Sequence, residues 1–171
     1  MSIKSVRRTI AALVVGAVAC GGAAAEALPT PSGKPILVVS GNIAQANADG
    51  EARFDRDMLE ALGTVTFETT TPWDRERVRF EGVPLGRLLD RVGASGSRLV
   101  AVALNDYSAE LPVEDARRYD VILALRRNGE YMPVQNRGPL FIVYNFDSDP
   151  ELKNQKFYSR SVWQVARLEV R

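Results

Sequence analysis

The apolar residues of this chain come in short runs. Beyond Ala27 none exceeds six residues, and Gly, Pro, Asn or a charged cluster interrupts each one. Runs of that length bounded by turn formers suit strands rather than helices. Ile36–Ser40, Thr64–Thr70, Arg77–Phe80, Leu99–Leu104, Val121–Leu125, Leu140–Tyr144 and Val162–Val170 are the strands so predicted. Leu99–Leu104 is almost wholly apolar and reads as covered on both faces, with Tyr107–Val113 pairing back on it as a hairpin. Leu140–Tyr144 reads as a central strand. Asn128-Gly129 is the strongest hairpin turn, because both residues tolerate positive φ.

Helical signals are fewer. Phe54, Met58, Leu59 and Leu62 fall at helical spacing before Gly63, and Leu85, Leu88, Leu89 and Val92 do so before Gly93. Gly82 is read as turning the chain, after which Pro84 suits the first turn of the second helix, where its missing N–H costs little. A third short helix is expected over Glu114–Arg118. Asn42–Ala52 is polar and reads as a loop; Leu28–Pro35, with Pro29, Pro31 and Pro35, reads as an extended linker. A chain of 171 residues has room for one domain of ordinary size. The expectation is a single α+β domain over residues 36–171, mixed and β-rich, with at least seven strands and three short helices.

The first 27 residues have the build of an export signal. Lys4, Arg7 and Arg8 precede an uncharged stretch from Thr9 to Ala25, and Ala25-Glu26-Ala27 offers a small-x-small cleavage pattern. The stretch is too short and too rich in Ala and Gly for a good membrane span. Ala17-Val18-Ala19-Cys20-Gly21 is a degenerate lipoprotein box, so lipid attachment at Cys20 is the alternative to simple release. Removing the signal leaves a nearly neutral chain without a thiol, which suits an oxidising compartment such as the periplasm.

Composition removes much familiar chemistry. The chain has no histidine and one cysteine, Cys20, which excludes Ser-His and Cys-His catalytic pairs, intrachain disulfides and Cys-rich metal sites. Lys plus Arg is 22 against 21 for Asp plus Glu, so no basic excess points to nucleic acid. Asp147, Asp149 and Glu151 alternate as calcium-loop ligands often do, but lack the central Gly and terminal Glu of such a loop and read as solvated acids. Three polar segments at strand ends remain: Thr69-Thr70-Thr71-Pro72-Trp73, Asn105-Asp106-Tyr107-Ser108, and Arg137-Gly138-Pro139-Leu140. They are either three well-made turns or the rim of one concave site with a few placed donors. A guanidinium beside a tight turn, as at Arg137, is a good anion holder.

Taken with Phe80-Glu81-Gly82-Val83-Pro84-Leu85, Leu88-Leu89 and Ser161-Val162-Trp163-Gln164-Val165, these segments stand in an order that resembles the oxidoreductase molybdopterin-binding domain, the fold of the sulfite oxidase family. The resemblance covers roughly residues 36 to 171 and implies a small, stand-alone, exported branch of that family, with molybdopterin as the inherited cofactor. In catalytic members a cysteine thiolate binds molybdenum four residues before a Trp; here Thr69 stands four before Trp73. A neutral hydroxyl is a poor substitute for that soft anion. The family's Arg after the Gly-Pro element and its Lys before the last Trp are Phe141 and Val162, and its pterin-holding histidines are absent.

The implied function is therefore a non-catalytic binding module. Its pocket would lie around Thr69, Trp73, Asn105, Asp106, Tyr107 and Arg137, with Thr69 and Asn105 for hydrogen bonds, Trp73 and Tyr107 as apolar walls and Arg137 for an anion. A small anionic ligand, or a loop of a periplasmic or membrane protein, is the expected partner. The alternative is a molybdopterin oxidoreductase, or one subunit of it, with the dithiolene supplying all sulfur ligands and a separate redox partner taking the electrons. A structural partner for a membrane sensor is the third reading.

Overall fold

The structure, a computed structural model, describes residues 27–171. The export signal expected over residues 1–27, Cys20 included, lies outside them except for Ala27. Among the described residues no helix is long and apolar enough to cross a membrane. Two sheets share one buried apolar cluster.

The first sheet contains β1 (Leu37–Gly41), β2 (Ala52–Phe54), β5 (Arg98–Ala103), β6 (Ser108–Pro112) and β10 (Val165–Val170). Their order is β2-β1-β10-β5-β6, and β1 and β10 run parallel while the other neighbours are antiparallel. Side chains alternate across it, as a pleated strand requires. Leu37, Val39, Ala101, Ala103, Leu168 and Val170 turn inward and are buried. Val38, Arg167 and Val102 stand in one cross-strand row on the other face. The run Leu99–Leu104 is thus covered on one face, not both: Val100 and Val102 are half-buried and Leu104 is 52% exposed. Apolarity without alternation did not distinguish the inward residues from the outward ones.

The second sheet contains β3 (Val65–Thr69), β4 (Val78–Pro84), β7 (Val121–Arg127), β8 (Glu130–Tyr131) and β9 (Phe141–Tyr144). β3 pairs with β4, β4 with β7, and both β8 and β9 pair with β7. Val121–Leu125 and all of β9 are buried, so these strands are the ones covered on both faces. Asn128 and Gly129, at φ 52° and 90°, make the β7–β8 hairpin turn as their sequence requires.

Among the described residues there are four short α-helices: α1 (Arg56–Ala61), α2 (Leu85–Arg91), α3 (Asp115–Arg118) and α4 (Gln155–Arg160). Leu85, Leu88 and Leu89 of α2 are fully buried, each worth ~1.5–3 kcal/mol relative to exposure. Phe54 belongs to β2 rather than to the first helix, because Asp55 behind it caps α1. The Asp55 carboxylate accepts from Met58 N (2.9 Å) and Gly33 N (2.7 Å), bonds that hold its pKa below the usual carboxylate range. The Gly33 bond and the buried side chain of Leu28 pack residues 28–35, which lack regular structure, against the domain.

Gly82 is not a turn. It lies inside β4 where the register with β7 shifts, and a Cβ there would fall on the Leu123 carbonyl oxygen and Ala124 Cα. The glycine is needed for that close backbone approach. Gly82→Ala is accordingly expected to destabilise the domain by about 1–3 kcal/mol, read as a lower midpoint of urea unfolding with an unchanged slope.

Candidate functional site

A cleft of about 410 Å³ opens beside the ends of β3, β5 and α4. Trp73, Tyr107, Tyr158 and Trp163 supply aromatic walls, and Asn105, Gln155 and Ser159 supply polar groups. The two indoles meet edge to face at 5.4 Å and 84°, and Trp73 also packs edge-on against Tyr158 at 6.1 Å. Such perpendicular pairs place one ring's positive edge on another's negative face. Trp163 and Tyr107 are 37% and 52% exposed, so both remain open to a ligand.

The walls are held by one carboxylate. Asp74, with 8% of its side chain exposed, receives Arg127 Nη2 at 2.6 Å, Arg137 Nη1 at 2.9 Å and Thr71 Oγ1 at 2.8 Å. Burial alone would raise its pKa, but the bonds from Arg137 and Thr71 and the two guanidinium charges outweigh it and hold it low. Arg137 also donates to the Trp73 carbonyl (3.2 Å) and stacks 5.7 Å from the Trp163 ring centroid. Its own carbonyl accepts Gln164 N (3.0 Å), and Gln164 O accepts Leu104 N (2.9 Å). A single chain of bonds thus runs from the β3–β4 loop to the β5–β6 turn.

The six residues singled out in sequence do not share one cavity. Trp73, Asn105 and Tyr107 line the cleft. Asp106, at φ 63°, lines a neighbouring groove instead. Arg137 pairs with Asp74 and does not line the cleft. Thr69 is fully buried: its hydroxyl accepts Asp147 N (3.0 Å) and donates to Thr70 O (3.3 Å). Sequence reasoning gave no site role to Tyr158, Trp163, Gln155, Ser159 or Asp74. Trp163 was visible only as part of a motif. Gln155, Tyr158 and Ser159 ride on α4, whose one buried side chain, Phe157, gives no periodic apolar signal.

Molybdopterin would ask this site for a soft ligand to the metal and several donors for its phosphate. The residues present do not fit that request. The position expected to carry the thiolate is a buried hydroxyl already bonded on both sides, the cleft lining contains no cation, and the two nearby guanidiniums share Asp74 outside that lining. Among the described residues no three His, Cys, Asp or Glu side chains gather as a metal-ligand set. The flat, amide-bearing ring of a pterin is a different matter: aromatic walls and neutral donors suit it.

The alternating acids each have a structural partner. Asp149 caps a 3-10 turn through Glu151 N (2.8 Å), and Glu151 pairs with Arg118 at 3.4 Å. Asp147 receives Thr70 N (2.8 Å), Thr70 Oγ1 (2.7 Å) and Lys153 Nζ (2.7 Å). Burial would raise its pKa, but these bonds win and hold it at about 2. A carboxylate depressed in the folded state contributes stability at higher pH and loses it as pH falls through the folded value. Stability is therefore expected to drop between about pH 4 and pH 2, and Asp147→Asn to flatten that part of a denaturation profile measured against pH.

No curated protein sequence matches the chain. The sequence profile of the oxidoreductase molybdopterin-binding domain does, over residues 55–145, from the cap of α1 through the end of β9. That match takes in more than half of the 171 residues, and the β-rich pair of sheets agrees with it. The chain belongs to the oxidoreductase molybdopterin-binding domain family.

Proposed function

We propose that this protein is an exported, non-catalytic binding module whose cleft holds a small, uncharged, planar heterocycle with amide-like edges, such as a pterin free of metal and phosphate. The observation that carries the reading is the cleft lining: four aromatic side chains with neutral hydrogen-bonding groups and no charge. Stacking on Trp and Tyr faces rewards a flat ring, while a charged group would enter without a counter-ion and lose its hydration. Among the described residues the Gln155 amide, the Asn105 Nδ2 and the Tyr107 and Tyr158 hydroxyls have no internal hydrogen-bond partner, which leaves them for a ligand's edge.

Backbone conformation supports a built site. Asp106, Arg137 and Gln164 adopt left-handed conformations at φ 63°, 66° and 56° in the segments that frame the cleft. A non-glycine residue held there costs of order 1 kcal/mol or more, and such costs gather where geometry serves binding. Export is supported by the basic, uncharged and small-x-small order of the N-terminal residues.

The test uses the protein's own reporters, since both of its tryptophans line the cleft. Titration with 6-hydroxymethylpterin is expected to quench their emission saturably and to raise the melting temperature. Tyr107→Ala removes one exposed wall and is expected to weaken binding about tenfold, the worth of one good stacking contact. Absence of saturable quenching, or equal binding by Tyr107→Ala, would overturn the reading.

A further inference from the structure

Beside the cleft lies a second concavity, of about 540 Å³, on the outward face of the first sheet. Its floor is aliphatic: Val38, Val102 and Ala166 on the strands, with Leu104 and Val134 at its rim. Leu104 and Val134 are 52% and 45% exposed and, with the valines of the floor, make one continuous aliphatic surface. Register sets Arg167 between the two valines, as Val38 pairs with Arg167 and Arg167 with Val102. Lys34 joins it from the segment before β1.

The charges in the groove are not balanced. Among the described residues neither Lys34 nor Arg167 forms an ion pair. Asp106 is the one acid in the lining; Glu169, two residues along β10, pairs with Arg171 at 2.9 Å and feels the Arg167 charge only at longer range. Two cations against one carboxylate, set over an aliphatic floor, are complementary to a molecule with an apolar tail and an anionic head.

We infer that this groove is a second binding site, for an alkyl-chain carboxylate. The tail lies across Val38, Val102 and Leu104, and the head is held by Arg167 and Lys34. The site is separate from the aromatic cleft, though the β5–β6 turn touches both: Asn105 and Tyr107 face the cleft, and Leu104 and Asp106 line the groove. An open half-groove of this kind relies on burial of the tail for affinity and on the cations for choice of head group.

Backbone amide NMR of the isotope-labelled protein tests it, with decanoate, decanol and acetate as probes below any micelle-forming concentration. Decanoate is expected to shift Val38, Val102, Leu104 and Ala166 saturably, and to bind at least tenfold more tightly than decanol or acetate. Lys34→Glu/Arg167→Glu, which alters two exposed side chains, is expected to erase the preference for decanoate over decanol. Leu104→Asp is expected to weaken decanoate tenfold or more. Equal binding of decanoate and decanol by the unaltered protein, or no saturable shifts at these residues, overturns the inference. Shifts at the same residues that depend on protein concentration alone would mean that a second copy covers the groove, and would overturn it too. Because pterin binding is read separately, by tryptophan quenching, failure at one site is distinguishable from failure at the other.

Discussion

The Asp74 carboxylate is the point on which the candidate site depends. Nearly buried, it would be costly to keep ionised without partners, and it has two guanidiniums and a threonine hydroxyl. Those partners come from separate parts of the chain: Arg127 from β7, Arg137 from the turn before β9, Thr71 from the loop after β3. Their convergence fixes Trp73 and brings Arg137 over Trp163, so the ion cluster and the aromatic cluster are one construction. The packing is not free of cost, for Arg127 Nε is buried without a hydrogen-bond partner.

The same arrangement explains why no cation lines the cleft although arginines lie close to it. Both guanidiniums are turned onto the one Asp74 carboxylate at 2.6–2.9 Å and neither lines the cleft, so a phosphate in the cleft would meet no cation in its wall. Thr69 makes a parallel point about the metal. It occupies the position at which the family's resemblance places a thiolate, yet its hydroxyl bonds to Asp147 N and ties β3 to the loop after β9. What remains for a ligand is the neutral, aromatic part of the surface. A shared fold transmits shape more faithfully than chemistry.

Much of the fold was legible in the sequence because local pattern and final environment agree there. β7, the Asn128-Gly129 hairpin and the Leu85–Val92 stripe follow directly from apolar period and turn chemistry. Where the reading went astray, a long-range contact decided. Gly82 looks like a turn in isolation and becomes a close-approach residue only when β7 is alongside. Phe54 fits the helical period by chance, while Asp55 fixes where the helix begins. The site was half legible. Trp73, Asn105 and Tyr107 sit at strand ends where polar groups stand out, whereas Tyr158 and Gln155 lie on a polar helix with no periodic signature. The commitment of Arg137 to Asp74 could not be read at all, since the pairing spans 63 residues of chain.

As proposed, this member of the family keeps the fold and a ligand cleft but not the metal. Elemental analysis tests it most directly, on folded protein purified with its own N-terminus from a host that makes the molybdenum cofactor. Molybdenum far below one atom per chain, with circular dichroism showing a β-rich fold, is the predicted result. Molybdenum approaching one atom per chain would contradict it and show that the cofactor is held without the thiolate and without a cation in the cleft lining.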